Sequence, residues 1–365
     1  MFDIESFLSR IADLGASDVH LMSGKKPSLR VAGEIMTLDF NELTEDEFDK
    51  IMETILHKDY QWNLRDAKNL DFTYELKGVS RYRVNYCKDL GLPKLTMRLI
   101  PYDIPTFEEL MLPPSIKKFA DFNNGILLIT GATGSGKSTT IASLIDYINM
   151  YQRKHIISIE DPIEFLYTDR HCLITQRGLG LDVEDFPTGI KYALRQDPDI
   201  IIIGEIRDKE TVEAAIQAAE TGHFVLSTIH TNSATQTINR IIGLFDSEQK
   251  DFIRKRLAAS LRGTIAQKLV PKIGGGRVPA LEIMSSTPAI ADYIAKDKMG
   301  EIDQLIKRSN NPTLCTMNSS LFNLCKLNLV DKEDAINASD NPTELFQMFR
   351  GIYHGLEDPN NKDLI

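Results

Sequence analysis

Short amphipathic segments separated by turn residues fill the first hundred positions of the chain. Apolar side chains recur at helical spacing from Phe2 to Leu14, which predicts an amphipathic helix. A second helix is expected from Thr44 through Leu56, because Thr44 followed by Glu47 is a capping-box pattern. Alternating apolar and polar residues predict strands at 18–21, 29–35, 71–76, 81–86 and 95–100. This mixture of short elements predicts an α+β domain over residues 1–100.

A different pattern begins after a proline-rich stretch. Prolines at 101, 105, 113 and 114 predict a linker over residues 101–118. The domain that follows, over residues 119–365, contains short runs that are apolar almost throughout, at 126–129, 156–159, 200–203 and 224–226. Such strands with intervening helical segments are typical of a mostly parallel sheet covered on both faces, so the fold class is α/β. From about Ser247 onward the pattern predicts mainly helices, with a glycine loop at 274–276.

Composition and charge argue against several classes of protein. The chain of 365 residues has a net charge of −10, which disfavours sequence-independent binding to DNA. The basic cluster Arg254–Arg256 lies in an amphipathic helical segment, so we expect a solvated or inter-subunit face there. No apolar run reaches the roughly 20 residues of a membrane span, and the acidic start of the chain is unlike a secretory signal. The four cysteines form no Cys-x-x-Cys pair, which argues against a structural zinc or a disulfide framework. We expect a cytoplasmic protein without a nucleic-acid partner.

The clearest chemical signal is a glycine-rich loop between an apolar strand and a helix. Residues 131–138 fit the pattern G-x-x-x-x-G-K-[ST], which binds nucleoside triphosphates. Glycines let the backbone curl so that successive N–H groups point at phosphate oxygens, and the amino end of the helix adds partial positive charge. Lys137 is expected to bridge the β and γ phosphates, and Ser138 to bind Mg²⁺. The predicted nucleotide-binding residues are Gly131, Ala132, Thr133, Gly134, Ser135, Gly136, Lys137, Ser138 and Thr139.

Acidic residues follow two of the other apolar strands. Glu205 comes just after the strand at 200–203, at the edge of an α/β sheet where ligands bind. We expect Glu205 to contact Mg²⁺ through water or to polarise the attacking water. Glu160, Asp161 and Glu164 follow the strand at 156–159, where an acidic group would orient water for hydrolysis. From the residues alone, an ordinary acidic turn explains this second cluster equally well.

Four ordered segments resemble a known family. Residues 131–140, 157–165, 194–208 and 219–232 are similar in order and spacing to the type IV pilus retraction ATPases of the PilT/PilU family, within the secretion-ATPase superfamily. The pattern Arg-x-Arg-Val-Asn at 81–85 also fits the N-terminal domain of that family. The resemblance implies a PAS-like N-terminal α+β domain and a RecA-like P-loop ATPase domain with a helical C-terminal part. It also implies a ring-shaped homohexamer that hydrolyses ATP with Mg²⁺.

The resemblance implies roles for individual residues. Glu164 becomes the expected general base, with Glu160 and Asp161 beside it, and Glu205 becomes the Walker B acid and a water-mediated Mg²⁺ contact. The histidines expected near the nucleotide are His223 and His230. The arginines expected as candidates to complete the site of a neighbouring subunit are Arg81, Arg83, Arg98, Arg195, Arg207 and Arg240.

One position departs from the family pattern. The Gln-Arg pair that usually follows the Arg-x-Arg-Val-Asn strand is replaced by Asp89 and Leu90, with Lys88 nearby. Lysine lacks the planar, bidentate guanidinium of arginine. A weakly active structural ring that assists a second retraction ATPase is therefore an alternative to a complete motor.

Subfamily and partners are also implied by the resemblance. The C-terminal signature A-I-R-N-L-I-R-E of PilT is absent, and residues 283–294 and 306–309 look more like PilU, an accessory retraction ATPase. The four-cysteine insertion of pilus extension and type II secretion ATPases is also absent, which favours the retraction class over that alternative. Expected partners are the inner-membrane platform protein of the pilus and a second PilT-type ATPase. These partners place the protein at the cytoplasmic face of the inner membrane, with peripheral membrane contact only.

Overall fold

The computed structural model describes residues 2–11, 14–31, 33–56, 67–100 and 103–352. By its internal contacts the chain divides into two compact units. The first unit contains Met1–Asp103 together with two later segments, Asp161–Leu166 and Gly178–Asp182, and the second contains the remainder.

In its described residues, the first unit consists of an antiparallel six-stranded sheet and two helices. Its helices are α1 (Ile4–Ile11) and α2 (Glu45–Ile55). Its strands are β1 (Ala16–Met22), β2 (Ser28–Val31), β3 (Glu34–Thr37), β4 (Asn69–Leu76), β5 (Ser80–Asp89) and β6 (Leu92–Ile100). They lie in the order β3-β2-β1-β6-β5-β4, and the apolar faces of sheet and helices share one buried core. The predicted α+β character of this part of the chain is therefore confirmed.

Local sequence signals explain where two of these elements begin and turn. The capping box of α2 is present, because the hydroxyl oxygen of Thr44 accepts from the backbone N–H of Glu47 and the carboxylate of Glu47 accepts from the backbone N–H of Thr44, each at 3.2 Å. The sequence predicts strand alternation over 29–35 with a turn at Gly33, and the structure divides this segment into two strands at that turn. This segment forms β2 and β3 of a hairpin, because Gly33 adopts a φ of 91° at the turn between them.

The second unit is built on an eight-stranded sheet. Its strands are β7 (Gly125–Thr130), β8 (His155–Glu160), β9 (Leu173–Gly178), β10 (Ile200–Ile203), β11 (Phe224–Ile229), β12 (Leu261–Pro271), β13 (Arg277–Ser285) and β14 (Leu314–Cys315). The order is β14-β13-β12-β7-β11-β10-β8-β9, and β12, β7, β11, β10 and β8 are parallel. The carboxyl ends of these five strands therefore lie along one edge, as the apolar runs predict.

Helices flank this sheet and form most of the C-terminal part. They are α3 (Lys137–Tyr151), α4 (Phe186–Ala193), α5 (Lys209–Glu220), α6 (Ala234–Gly243), α7 (Ser247–Ser260), α8 (Pro288–Ala295), α9 (Met299–Lys307), α10 (Met317–Lys326), α11 (Lys332–Ala338) and α12 (Pro342–Phe349). None of the helices in the described ranges combines the length and the apolar character needed to cross a lipid bilayer.

The structure adds two long strands to the C-terminal part of the chain. From about Ser247 the chain is mainly helical, as expected, but β12 and β13 were not predicted; they form a long antiparallel pair on either side of the loop at 274–276. Strand β12 lies between β7 and β13 with most of its side chains buried, so its sequence lacks the alternation that marks a half-exposed strand.

The stretch predicted as a linker is largely packed. The division between the units falls between Asp103 and Ile104, whereas the prediction extends over 101–118; residues 101 and 102 lie outside the described ranges. A 3₁₀ helix, Pro114–Asp121, ends this stretch. The stretch predicted as a linker contributes the buried side chains of Phe107, Leu112 and Ile116 to the core of the second unit. These side chains explain why the prolines do not separate this stretch from the second unit.

Candidate functional site

The glycine-rich loop lies between β7 and α3, in the context the motif requires. All six residues of β7 are buried, and α3 begins at Lys137 directly after Gly136. Gly136 has a φ of 87° and Gly131 a φ of 144°, conformations that favour glycine. A Cβ on Gly136 would also lie only 2.7 Å from Nε2 of Gln267. The backbone conformation therefore favours glycine at this position, and any side chain there would displace the amide of Gln267.

Lys137 is held against the loop that precedes it. Its ammonium group donates to the carbonyl oxygens of Gly131 and Ala132, both at 2.9 Å, and the residue is only 8% exposed. A fixed positive charge next to a loop at the amino end of a helix is suited to binding phosphate groups.

Gln267 of β12 supports this loop, although no sequence motif marks it as a site residue. Its side-chain amide donates to the carbonyl oxygen of Ser135 at 2.7 Å, and its side-chain carbonyl accepts from the hydroxyl of Thr140 at 2.8 Å. The residue is 3% exposed. One buried side chain thus joins the glycine loop to the first turn of α3. Strand β12 also contains Arg262, Thr264 and Lys268, so its sequence does not distinguish Gln267 from other polar residues.

Glu205, His230 and Arg207 come together at the carboxyl edge of the sheet. Glu205 follows β10, and its two oxygens lie 2.8 Å from an Nη of Arg207 and 3.2 Å from Nε2 of His230. His230 directly follows β11, the strand between β10 and β7. Neighbouring strands are spaced by about 4.8 Å, so this group lies roughly two strands from the start of the glycine loop.

His223 does not join this group. It precedes β11, and its Nδ1 lies 3.0 Å from the carbonyl oxygen of Ala218 and 3.1 Å from the hydroxyl of Thr221. Because β11 runs parallel to β7, His223 lies at the amino edge of the sheet, whereas His230 lies at the carboxyl edge. Within one chain His223 therefore lies at the edge opposite the glycine loop, and the expectation that it is near the nucleotide stays a prediction.

The second acidic cluster is divided between the two units. Glu160 ends β8 and accepts from the side-chain amide of Gln176 at 3.4 Å. Asp161 and Glu164 belong to the first unit, where Oε1 of Glu164 lies 2.9 Å from an Nη of Arg83 on β5. The structure thus brings together the expected general base and one of the candidate arginines.

The remaining candidate arginines have separate environments. Arg98 donates from Nε to the buried carboxylate of Asp18 at 2.9 Å. Burial raises the pKa of Asp18, but hydrogen bonds from Ser17 and Arg98 outweigh it and hold the pKa below the usual value of an aspartate. Arg81 of β5 is buried, whereas Arg195 and Arg240 are exposed on the second unit.

The donors present suit Mg²⁺ bound mainly by phosphate and water. Ser138, in the first turn of α3, offers an exposed hydroxyl, while both oxygens of Glu205 already contact Arg207 and His230. Glu205 would therefore reach the ion through water. No group of three or more His, Cys, Asp or Glu side chains in the described part of the chain could hold a metal by itself.

A cavity of about 450 Å³ opens beside the glycine loop within the second unit. Gly136, Thr139 and Thr140 form the side that belongs to the loop and α3. Residues from the stretch predicted as a linker and from the β12–β13 hairpin, including Leu112, Leu269 and Arg277, form the other walls. Its volume falls in the range of small-molecule sites.

Comparison with known proteins assigns the chain to a family. A family model described as type II/IV secretion system protein matches residues 3–278. The type IV pilus retraction ATPase PilT of Pseudomonas aeruginosa is 39% identical, over 91% of this chain and 97% of that protein. The type IV pilus ATPase PilU of the same organism is 35% identical, over 95% of this chain and 91% of that protein. These two identities do not favour PilU over PilT.

The structural comparison agrees. The crystal structure of the pilus retraction motor PilT with bound ADP matches with a TM-score of 0.88 at 41% identity, covering 95% of this chain and all of that one. The chain therefore belongs to the type II/IV secretion system protein family and is similar over most of its length to ATPases of the PilT/PilU type.

Proposed function

We propose that this protein is an ATP-hydrolysing motor for retraction of type IV pili, which returns pilin subunits to the membrane and supports twitching motility. The observation that carries this function is the arrangement along one sheet edge. Lys137 and the glycine loop follow β7, His230 follows β11, and Glu205 follows β10. Together they provide a phosphate cradle and a carboxylate within reach of the same ligand.

In this proposal the second unit is a RecA-like ATPase domain and the first a PAS-like domain. The triphosphate of ATP would lie on the backbone N–H groups of the glycine loop, with Lys137 near its β and γ phosphates. The nucleoside would enter the cavity bounded by Leu112 and Leu269. Ser138, and Glu205 through water, would hold Mg²⁺, which would neutralise charge on the phosphates.

The reaction would be an in-line attack of water on the γ-phosphate. Glu164 would act as general base, and Arg83 at 2.9 Å would hold its carboxylate in position. Arg207 and His230 would fix Glu205, and His230 would sense the γ-phosphate. Arginines of a neighbouring subunit would stabilise the developing charge, which in related reactions raises the rate by about 10³ to 10⁵.

The motor would work as a homohexamer at the cytoplasmic face of the inner membrane. Its partners would be the platform protein of the pilus and a second PilT-type ATPase. Similarity to the two retraction ATPases over more than nine-tenths of their lengths supports this assembly.

Two measurements test the function. The purified chain should release phosphate from ATP, and a Lys137→Gln variant should not, because it removes the charge at the loop. The gene should also restore retraction in a strain that lacks its own retraction ATPases. Turnover without any effect on pili would contradict the retraction role, and absence of nucleotide binding would contradict the motor itself.

A second candidate is a structural ring that hydrolyses ATP slowly and assists another retraction ATPase. Leu90, where the family usually has an arginine, supports it, because this side chain is 97% exposed at the tip of the β5–β6 hairpin. Phosphate release by the chain alone, compared with release in a mixture with a PilT-type partner, separates the two candidates. Rapid turnover alone would exclude the assisting ring.

A further inference from the structure

Glu282 lies where two helices of the second unit begin. It belongs to β13, and its Oε1 accepts from the backbone N–H of Ala234 at 2.8 Å. Its carboxylate also accepts from the backbone N–H of Met317. Ala234 is the first residue of α6 and Met317 the first of α10. Because the first N–H groups of a helix have no partner inside the helix, one carboxylate here fixes two helix ends.

Helix α6 continues directly from the loop that carries His230. In this loop the hydroxyls of Thr231 and Thr237 are hydrogen-bonded at 2.7 Å, which ties the loop to the first turn of α6. At the start of the loop, His230 lies 3.2 Å from Glu205. A shift of the amino end of α6 would therefore move His230 relative to Glu205.

A cavity of about 320 Å³ opens beside Glu282 and contains several charged groups. Lys307 of α9 pairs with Glu344 of α12 at 3.0 Å, and Lys268 of β12 pairs with Asp340 at 2.7 Å. The titratable and charged groups that face or adjoin Glu282 are Asp303, Lys307, Asp340, Glu344, Lys268 and the buried Cys315. Burial, with the negative charges of Asp303 and Asp340, raises the pKa of Glu282 to about 7.

We propose that Glu282 is a positioning residue for ATP hydrolysis, because it anchors the amino end of α6 to β13 and thereby keeps His230 on Glu205. This role presupposes the proposed ATPase activity. The carboxylate form is the competent one, since both of its oxygens are acceptors, whereas the protonated form presents a donor in place of one acceptor. Turnover is therefore expected to rise as the pH increases through about 7.

Two variants of the full chain separate positioning from general stability. Glu282→Gln keeps one acceptor oxygen and replaces the other by an amide group. Its kcat at pH 8 is expected to fall about three- to tenfold, the equivalent of one hydrogen bond. Its Kd for ATP should stay unchanged, because Gln267 supports the glycine loop independently. Its kcat should no longer rise between pH 6 and pH 8.

Asp340→Asn is the matched control, because it removes a neighbouring negative charge and leaves both contacts of Glu282 in place. Its kcat at pH 8 should equal that of the wild type. The rise of its kcat with increasing pH should occur at a lower pH than in the wild type. Hydrogen exchange supplies a readout that does not depend on turnover. Peptides covering 230–237 should exchange faster in Glu282→Gln at pH 8, while peptides covering 137–151 should not change.

The possible results distinguish a failure of the role of Glu282 from a failure of the proposed function. An unchanged exchange rate at 230–237 together with an unchanged pH profile in Glu282→Gln would overturn the role of Glu282. Equal losses of ATP affinity and kcat would also overturn it, because they would indicate general damage to the fold. Wild-type protein that does not hydrolyse ATP would instead contradict the proposed function, and hydrogen exchange would still decide whether Glu282 anchors α6.

Discussion

Arg83 and Glu164 form a salt bridge of 2.9 Å between β5 and the segment that follows β8, both within the first unit. The two residues are 81 positions apart in the chain. The partner of the expected general base is thus an arginine of the strand whose Arg-x-Arg-Val-Asn pattern was singled out in the sequence. A salt bridge at a partly exposed position contributes little to stability, so its importance lies in the orientation of the carboxylate.

Substitution of Glu164 should affect turnover much more than binding. Glu164→Gln removes the base and is expected to lower kcat by about 100-fold or more with a Kd for ATP near that of the wild type. Phosphate release and nucleotide binding, measured on the same preparations, check this expectation. Glu184→Gln, an exposed carboxylate nearby in sequence, serves as the control and should behave as wild type. Full activity of Glu164→Gln would remove Glu164 from the base role.

Arg83 provides a graded test of orientation. Arg83→Gln should lower kcat by about tenfold, because the carboxylate of Glu164 loses its partner. Arg83→Lys keeps the charge but lacks the planar guanidinium, so an intermediate kcat is expected. In a Glu164→Gln background, Arg83→Gln should have no additional effect. A full additional loss in the double variant would show that Arg83 acts elsewhere.

Gln267 should control how well the glycine loop binds nucleotide. Gln267→Leu leaves the carbonyl oxygen of Ser135 and the hydroxyl of Thr140 without this partner, and each such loss is worth about 1 kcal/mol or more when buried. The Kd for ATP is expected to rise about tenfold, as measured by calorimetry. Thr140→Val should give a smaller rise, and the double variant should show less than the sum of the two effects.

The neighbouring residue offers a control for Gln267. Lys268→Gln removes a side chain that pairs with Asp340 on a different part of the unit, so ATP affinity should not change. Equal weakening by Lys268→Gln and Gln267→Leu would indicate a general disturbance of β12 and would contradict a specific role for Gln267.

The sequence predicts local features of this protein better than distant ones. The strand, loop and helix around Lys137 are contiguous, and their glycines and apolar run each indicate one conformation. Gln267 reaches Thr140 across 127 positions, and nothing in the local sequence of β12 indicates that neighbour. The pairing of β12 with β7 was also not predicted, because a strand buried on both faces has no alternating pattern.

The direction of β11 decides which of the two histidines lies beside Glu205. Two histidines that flank one strand are seven positions apart, and an extended strand separates them by roughly 20 Å. Only His230 can therefore lie at the carboxyl edge with Glu205. The two histidines flank this strand in the sequence, and the direction of the strand relative to β7 decides which of them lies at the edge of the glycine loop.

Asp18 should stabilise the first unit above acidic pH. Its pKa is held below the usual value by Ser17 and Arg98 in spite of burial, so the folded state binds fewer protons than the unfolded state in that range. This contribution is present above the ordinary pKa of aspartate and is lost as the pH falls through the lowered value. Because Arg98 is largely exposed, Asp18→Asn is expected to lower the free energy of unfolding by only about 1–2 kcal/mol at pH 7.

Urea unfolding at pH 7 and at pH 3 checks this difference, which should shrink at the lower pH. Asp39→Asn is the matched control, because Asp39 pairs with Lys26 at 3.3 Å on a fully exposed surface and should have no measurable effect. Equal effects of the two substitutions would contradict a specific contribution from Asp18.

Glu282 should produce the opposite pH dependence of stability in the second unit. Its pKa is raised to about 7 by burial and by Asp303 and Asp340, so between its ordinary pKa and about 7 the folded state binds more protons than the unfolded state. The free energy of unfolding should therefore decrease as the pH rises through this range, by at most about 3 kcal/mol. Glu282→Gln should lose this decrease, whereas Glu344→Gln, in the same cavity but paired with Lys307, should keep it. Denaturant unfolding at pH 5 and pH 8 measures the slope directly, and an identical slope in wild type and Glu282→Gln would show that Glu282 does not titrate near neutral pH.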